Sequence, residues 1–193
     1  KINILDTPGY SDFVGEVIGA LRVADLALVL LKAVEGVEVG TEIVWEHAKK
    51  YNVPTVFVVN RLDNENAAFD RVVETAKERF GHDVVVAQFP VNEGLPFDSV
   101  VDVIRMKLLK FQRDGSGKFT ESEIPSDLLQ KATQLHEEFI EKVAETDEEL
   151  MNKFFESGTL EGADLESGLK RALVGRKIFP IFCASSVLGI GIT

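Results

Sequence analysis

Four residues near the start of the chain combine a carboxylate with a tight turn. The motif Asp6-Thr7-Pro8-Gly9 follows a short apolar run at residues 2–5. In nucleoside-triphosphatases an aspartate at such a strand end holds Mg²⁺, commonly through water, and a glycine shortly after it lets a backbone N–H approach a phosphate. The same four residues also make a good turn without any ligand. By itself the motif leaves a phosphate site and a plain turn open.

A second group of polar residues follows the apolar run at residues 55–59. In Asn60-Arg61-Leu62-Asp63 the carboxylate of Asp63 can accept two hydrogen bonds from the N1–H and 2-amino groups of guanine. Asn60 can tie neighbouring loops together, and the stem of Arg61 can lie over the flat face of a base. A polar turn between a strand and a helix is the alternative for this motif.

A third motif, Cys183-Ala184-Ser185-Ser186, ends the apolar run at residues 178–183. Its small residues would let a backbone N–H reach the O6 of guanine, although this signal is weak by itself. Ligands in open α/β sheets bind beyond the carboxyl ends of the strands. Three motifs in this order, each at the end of an apolar run, therefore favour a single nucleotide site.

The elements that must position these motifs alternate along the chain. Apolar runs at residues 2–5, 26–31 and 55–59 are continuous, which predicts parallel strands buried on both faces. Helical periodicity occupies residues 13–23, 41–51 and 67–80. The alternation predicts an α/β fold with a doubly wound, mainly parallel sheet.

The fourth strand, at residues 178–183, comes only after a detour of about a hundred residues, far longer than a usual connection. The detour contains strand candidates at 84–89 and 100–106, a Gly/Ser-rich turn at 114–117, and a capping box in which Thr146 pairs with Glu149. A long helix in it carries an apolar stripe of Leu128, Ala132, Leu135, Phe139 and Val143. We therefore predict an inserted α+β subdomain at 83–176, between a core at 1–82 and a last strand with its motif at 177–193.

Charge is concentrated in this insert. The 193-residue chain has a net charge of −11, and residues 121–170 contain fourteen acidic side chains but only four lysines. Such a chain does not wrap nucleic acid by itself, so any RNA contact must be local. The acidic run is either a solvated helical face or a surface for a basic partner.

The single cysteine and the apolar runs limit where the protein acts. Cys183 alone cannot form an internal disulfide framework, and one free thiol fits a reducing compartment, so we expect a cytoplasmic protein. No stretch approaches the ~20 apolar residues of a membrane span, so no membrane partner is expected.

Taken together, the motifs and the insert resemble translational GTPases, and specifically elongation factor G. In the core the resemblance is carried by Ile4-Leu5-Asp6-Thr7-Pro8-Gly9, Asp12-Phe13, Ala33-Val34-Glu35-Gly36-Val37 and Thr41-Glu42 with Trp45. In the insert it is carried by Val101-Asp102-Val103-Ile104-Arg105-Met106-Lys107, Glu123-Ile124-Pro125 and Asp147-Glu148-Glu149-Leu150-Met151. The resemblance covers essentially the whole chain, and elongation factor Tu lacks such an insert.

The resemblance implies that the sheet is of the P-loop GTPase type, and that GTP or GDP with Mg²⁺ are the ligands. Asp6 would face the metal and Gly9 the γ-phosphate. The base would be held by Asn60 and Asp63 at its edge, by Arg61 over its face and by Ser185 and Ser186 on the O6 side.

The resemblance also implies a ribosomal partner, at the factor-binding site of the large subunit. The ribosomal stalk protein would meet the acidic insert. We expect this encounter to involve a helical face bearing Glu137, Glu138, Glu141 and Glu145.

Three positions depart from the family's pattern. Arg61 replaces the usual lysine, Ser186 replaces an alanine, and Tyr10 stands where the catalytic histidine follows Gly9. A phenol cannot become a cation at neutral pH, although its O–H can still bind a water. The resemblance implies that Tyr10 is the catalytic residue, but because it is not a histidine, other functions than that of a translocation GTPase stay open. These are a ribosomal protection or release-type factor, a divergent second elongation factor G, and a binding module that hydrolyses GTP weakly or not at all.

The phosphate-binding pattern G-x-x-x-x-G-K-[ST] does not occur in the 193 residues. The resemblance places this loop and the first effector loop before Lys1 in the sequence. The strand that leads into the phosphate loop would lie in the sheet between the strands that begin at Ile2 and Leu26. We therefore expect an incomplete sheet, a chain that is part of a longer protein, and no GTP hydrolysis by the 193 residues alone.

Overall fold

The structure, a computed structural model, describes residues 1–192 apart from the side chain of Ser11. Its helices are a 3-10 turn at Ser11–Phe13, α1 (Val14–Leu21), α2 (Val39–Tyr51), α3 (Phe69–Phe80), α4 (Ser126–Ala144), α5 (Glu148–Ser157) and α6 (Gly162–Val174). Its strands are β1 (Ala27–Lys32), β2 (Thr55–Asn60), β3 (Val84–Val86), β4 (Gln88–Pro90), β5 (Ser99–Asp102), β6 (Lys107–Phe111), β7 (Phe119–Ser122) and β8 (Phe179–Cys183).

The core is a four-stranded sheet in the order β1-β2-β8-β3, with all neighbours parallel. Strand β8, the last in sequence, lies between two strands that precede it. The predicted α/β class and the late fourth strand are therefore confirmed. Parallel order also places the ends of β2 and β8 at one edge, because Val59 is the register partner of Cys183.

Helices α2 and α3 share an aromatic cluster with the sheet. The ring of Trp45 in α2 lies 5.6 Å from Phe57 in β2, 5.1 Å from Phe80 in α3 and 4.7 Å from Phe179 in β8. Such aromatic pairs add about 0.5–1.5 kcal/mol each beyond the burial of their area. The cluster fixes both helices against the strands whose ends carry the second and third motifs.

A second sheet is antiparallel, in the order β4-β5-β6-β7, and its first strand follows β3 of the core sheet in the sequence. The Ala87 N–H donates to Ile181 O of the core sheet at 2.9 Å. The Ala87 carbonyl accepts from the N–H of Val103, directly after β5 of the second sheet, at 3.0 Å. The strand predicted at residues 84–89 is therefore two strands in two sheets. Ala87 is the residue at which the chain crosses between them.

Helices α5 and α6 pack against α4, which in turn contacts β3 of the core sheet. The apolar stripe predicted for α4 is largely confirmed, because Ala132, Phe139 and Val143 are buried and the other two members are half-buried. The predicted capping box is wrong. Asp147 is the N-cap of α5, and its carboxylate accepts from the backbone N–H groups of Glu149 and Leu150.

The strand predicted at residues 2–5 is also absent. Ile2 and Ile4 are 90% and 87% exposed. A strand needs a neighbouring edge for its hydrogen bonds, and none of the described residues pairs with this run. Strand β1 differs as well, since Leu28 and Leu30 are exposed and only one of its faces is buried.

Strand β3 belongs to the core sheet, so this sheet extends past the domain boundary predicted between residues 82 and 83. The three-part division of the chain stays a prediction. Among the helices of the described residues, none has the length and apolar character needed to cross a membrane.

Candidate functional site

Two loops emerge side by side from the carboxyl ends of neighbouring strands. We call residues 60–64, after β2, the first loop, and residues 184–190, after β8, the second loop. Asn60 joins them through its side-chain amide: Nδ2 donates to Ser186 Oγ at 3.1 Å, and Oδ1 accepts from the Ser186 N–H at 3.0 Å. The same Oδ1 accepts from the Arg61 N–H at 2.8 Å. The Asn60 side chain therefore links the two loops directly.

The backbone turns sharply at Arg61, which has a φ of 64°, an uncommon conformation for a residue with a side chain. The turn leaves the Arg61 side chain exposed and sends Leu62 into the core, where it is fully buried. The Leu62 N–H donates to Ala184 O at 3.3 Å, which is a second link between the loops.

Asp63 directly follows the buried Leu62, and one of its carboxylate oxygens lacks a hydrogen-bond partner among residues 1–192. Its Oδ1 atom is buried and has no hydrogen-bond partner within the described residues. Leaving a buried acceptor unpaired costs about 1–3 kcal/mol, and more for a charged group. An N–H donor placed against this oxygen would recover that cost, so the carboxylate is suited to a ligand with donors at its edge.

In the second loop Ser185 is buried and Ser186 is exposed. The Ser185 N–H donates to Ile190 O at 3.0 Å, and its Oγ accepts from the Leu188 N–H at 3.2 Å. Since the Ser186 N–H donates to Asn60, both serine N–H groups already have partners inside the protein.

The predicted residues of the first motif lie elsewhere. Asp6 is exposed, and the Gly9 carbonyl oxygen would lie 3.5 Å from a Cβ on Gly40, at the start of α2. Tyr10 is 78% exposed, and its carbonyl accepts from the Phe13 N–H at 3.0 Å. Within residues 1–192, no hydrogen bond or ion pair joins this segment to the first or second loop.

For a metal ion, the described part of the chain has no group of three or more His, Cys, Asp or Glu side chains that could hold one. Asp6 would supply a single carboxylate, which fits a hard cation that takes its other ligands from water and phosphate oxygens.

Cys183 ends β8 directly before the second loop, and its thiol donates to Gln88 O at 3.3 Å. Burial raises the pKa of this thiol well above its usual value. The thiol is therefore a packing group of the strand end, and sequence reasoning assigned it no chemistry.

Sequence reasoning missed that two glycines of the insert, Gly94 and Gly115, contact the two loops. The Gly94 N–H donates to Leu62 O at 2.8 Å, and Gly189 packs against Gly115 of the β6–β7 turn. The only signal in the sequence was the glycine residues themselves, which indicate turns but do not indicate which other segment a turn contacts.

The sequence matches the family described as "Elongation factor Tu GTP binding domain" over residues 1–193. The chain belongs to this family. A crystal structure of a protein from Thermus thermophilus is similar as well, with 33% sequence identity and a TM-score of 0.87. The match covers 97% of this chain and 28% of the Thermus chain.

Membership of this GTP-binding family establishes the predicted fold class, that of the P-loop GTPases, and the general assignment to translational GTPases. It also implies binding of guanine nucleotides. The two loops joined by Asn60 are therefore the candidate base site of a GTP-binding domain. The chain spans about a quarter of the length of the solved structure that it matches.

Proposed function

We propose that the first and second loops bind the guanine base of GTP and GDP. The observation that carries this proposal is the buried, unpartnered Oδ1 of Asp63, at the point where Asn60 joins the loops. Guanine offers two adjacent donors, N1–H and the 2-amino group, whereas adenine lacks this pair. A carboxylate with one buried, unpaired oxygen is selective for the base that supplies the missing donor.

The remaining contacts follow from the same geometry. The exposed side chain of Arg61 covers one face of the base, because a guanidinium stacks on flat rings. The O6 side falls to Ser185 and Ser186. Since the Ser186 N–H donates to Asn60 Oδ1, we expect it to be shared with O6 in the nucleotide complex.

Asp6 and Gly9 are proposed for the phosphate end, with Asp6 facing Mg²⁺ and Gly9 facing the γ-phosphate. Mg²⁺ would neutralise the charge of the phosphate oxygens. Residues 1–193 contain no phosphate-loop pattern, so we propose that they do not hydrolyse GTP by themselves and that the intact protein does.

The role we propose for the intact protein is ribosome-dependent GTP hydrolysis that promotes translocation in the cytoplasm, as in elongation factor G. The support is the insert, which resembles the subdomain of that family, and its acidic charge, which fits a basic stalk protein at the large-subunit factor-binding site. RNA contact is then local and on the ribosome.

One observation favours a second candidate, an elongation factor G-like protein or a ribosomal protection or release-type factor with weak hydrolysis. Tyr10 occupies the position of the family's catalytic histidine, and its side chain is exposed.

Base selectivity tests the primary proposal. Asp63→Asn in the intact protein should weaken GTP binding by ~2–4 kcal/mol, because a charge-assisted bidentate contact is lost. Xanthosine triphosphate should gain in relative terms, since an amide can donate to its 2-carbonyl. Asp70→Asn is the matched control, as its exposed carboxylate pairs with Lys131 on the surface. Unchanged discrimination between GTP and ATP in Asp63→Asn would contradict the assignment.

A further inference from the structure

The insert reaches the first loop through the connection between β4 and β5. Gly94, in this connection, donates its N–H to Leu62 O at 2.8 Å. A Cβ on Gly94 would lie 3.6 Å from Asn64 O and from the Glu65 Cα, which is van der Waals contact with the first loop and the residue after it. The backbone of the insert therefore lies directly against the turn that carries Asp63.

The insert reaches the second loop through the turn between β6 and β7. A Cβ on Gly189 would lie 3.0 Å from Gly115 O and 3.3 Å from the Gly115 Cα. Both glycines have positive φ, 68° and 76°. Backbone meets backbone here, and no flexible side chain lies between the nearest atoms to absorb a change in distance.

The two contacting turns belong to one end of the same sheet. The Phe111 N–H at the end of β6 donates to Asp98 O, just before β5, at 2.8 Å. Phe97, whose N–H donates to Gly94 O at 2.9 Å, is fully buried, and Phe111 is nearly so. Both turns are thus anchored in the packed interior of the insert and hold a defined spacing.

We propose that Gly94 and Gly189 are positioning residues for guanine, so that the insert sets the separation of the first and second loops and with it affinity and base discrimination. This inference rests on the proposed base site. Hydrogen-bonding groups of a binding site must be held within about 0.5 Å of their productive geometry. The Leu62 peptide carries the restraint, since its N–H binds Ala184 O and its carbonyl accepts from Gly94.

The test compares GDP with inosine diphosphate, which lacks the 2-amino group, in the intact protein. Gly189→Ala places a methyl group against Gly115 O and should displace the second loop. We expect GDP affinity to fall about tenfold, within the range of couplings between sites. The affinity for inosine diphosphate should fall less than the affinity for GDP, so the preference for GDP over inosine diphosphate should decrease. Gly158→Ala is the matched control, with a φ of 75° but no atom within 4 Å of the added Cβ, and should leave the preference unchanged.

The outcomes separate the inference from the proposal beneath it. Equal losses for both nucleotides, no loss at all, or the same loss in Gly158→Ala would each overturn the positioning role. A wild-type protein that prefers GDP over neither ADP nor inosine diphosphate would overturn the base site itself, and the inference with it.

Hydrogen exchange of the wild-type protein provides a second measurement that needs no substitution. If the base fixes the first loop, GDP should slow exchange of the Gly94 amide, which donates to Leu62 O. The Gly158 amide, which donates to Phe154 O at the end of α5, should be unaffected. Gly94 exchange that is identical with and without GDP would overturn the inference.

Discussion

At the scale of single residues, Tyr10 is held by its backbone and not by its ring. The side chain is 78% exposed, and the carbonyl accepts from the N–H of Phe13, the last residue of the 3-10 turn. An imidazole at this position can orient a water in either charge state, whereas a phenol can do so only as a neutral group. The difference between the two rings is therefore a difference in transition-state electrostatics.

We expect Tyr10→His in the intact protein to accelerate ribosome-stimulated GTP hydrolysis by ~10²–10³, the scale of one preorganised transition-state group. GTP affinity should change by no more than a few-fold, because the base contacts proposed above lie in other loops. Single-turnover phosphate release on saturating ribosomes measures the rate. Tyr10→Phe is the control, since it keeps the ring and removes the hydroxyl. A neutral or slower Tyr10→His would show that the tyrosine is already an effective residue at this position.

The sequence predicted what individual side chains of the site could do better than where they lie. That Asn60 ties two loops together was expected from its type and position, and its hydrogen bonds to Ser186 show the link. Binding of guanine by these residues stays a prediction. The partners of the serine N–H groups were not predictable, because they depend on how the second loop folds back onto Ile190.

At the scale of elements, periodicity predicted the three core helices and the strands β1, β2 and β8 to within a few residues. It failed where a strand depends on its neighbours. The apolar run at residues 2–5 has no adjacent edge among the described residues, and the run at 84–89 changes sheets at Ala87. Neither the missing neighbouring strand nor the change of sheet can be predicted from the local pattern of apolar residues.

The N-cap of α5 gives a stability prediction for one element. Asp147→Ala should lower the free energy of unfolding by about 1 kcal/mol, because two backbone N–H groups lose their acceptor. Urea unfolding measures the change. Asp127→Ala, in the first turn of α4, is the control, since no side-chain hydrogen bond caps that helix. Equal effects of the two substitutions would contradict the cap.

Strand β5 gives a prediction for pH. Burial raises the pKa of Asp102, although hydrogen bonds and charge from Arg105 oppose this. The folded state therefore binds this proton more tightly than the unfolded state, so the contribution to stability is complete at low pH and is lost as the pH rises through the raised folded pKa. Asp102→Asn should flatten this fall while keeping an acceptor for the Arg105 N–H. Urea unfolding between about pH 4 and 7 compares it with Asp127→Asn, and parallel pH profiles for the wild type and Asp102→Asn would contradict the expectation.

At the scale of the whole molecule, the acidic insert is not one uniform face. Glu138 pairs with Lys77 of α3 at 2.5 Å, and Glu145 pairs with Lys142 at 2.9 Å. Glu137 and Glu141 are exposed and form no ion pair within the described residues. The four-residue face expected from the sequence is therefore reduced to two carboxylates free to attract a basic partner.

Converting Glu137 and Glu141 together to Gln should slow association with isolated stalk protein by about two- to fivefold at low salt, because steering acts on the association rate. Dissociation should change less. Stopped-flow measurements over a range of salt concentrations give both rates. Glu74→Gln with Glu78→Gln is the matched control, an equal charge change at exposed positions of α3. Association that is independent of salt would leave these carboxylates as a solvated face.

The overall architecture was more predictable than the relation between its parts. Buried strands alternating with helices have few possible arrangements, so the doubly wound sheet followed from the pattern. Contact between the insert and the two loops did not follow, because it is made by the backbone at Gly94, Gly115 and Gly189. Backbone contacts leave no side-chain signature in a sequence.

The position of β8 next to β3 has a consequence for how such a protein can diverge. The chain leaves the core sheet after Val86 and re-enters it at Phe179, and the register pairs Val84 with Phe179. Exit and return are thus on neighbouring strands and two residues apart in register, about 7 Å along the sheet and about 5 Å across it. Related proteins could gain, lose or exchange the segment between β3 and β8 without a change in the strand order of the core sheet. If the insert positions the base site as proposed, a transplanted insert would keep guanine discrimination only if its turns again contacted Leu62 and Gly189.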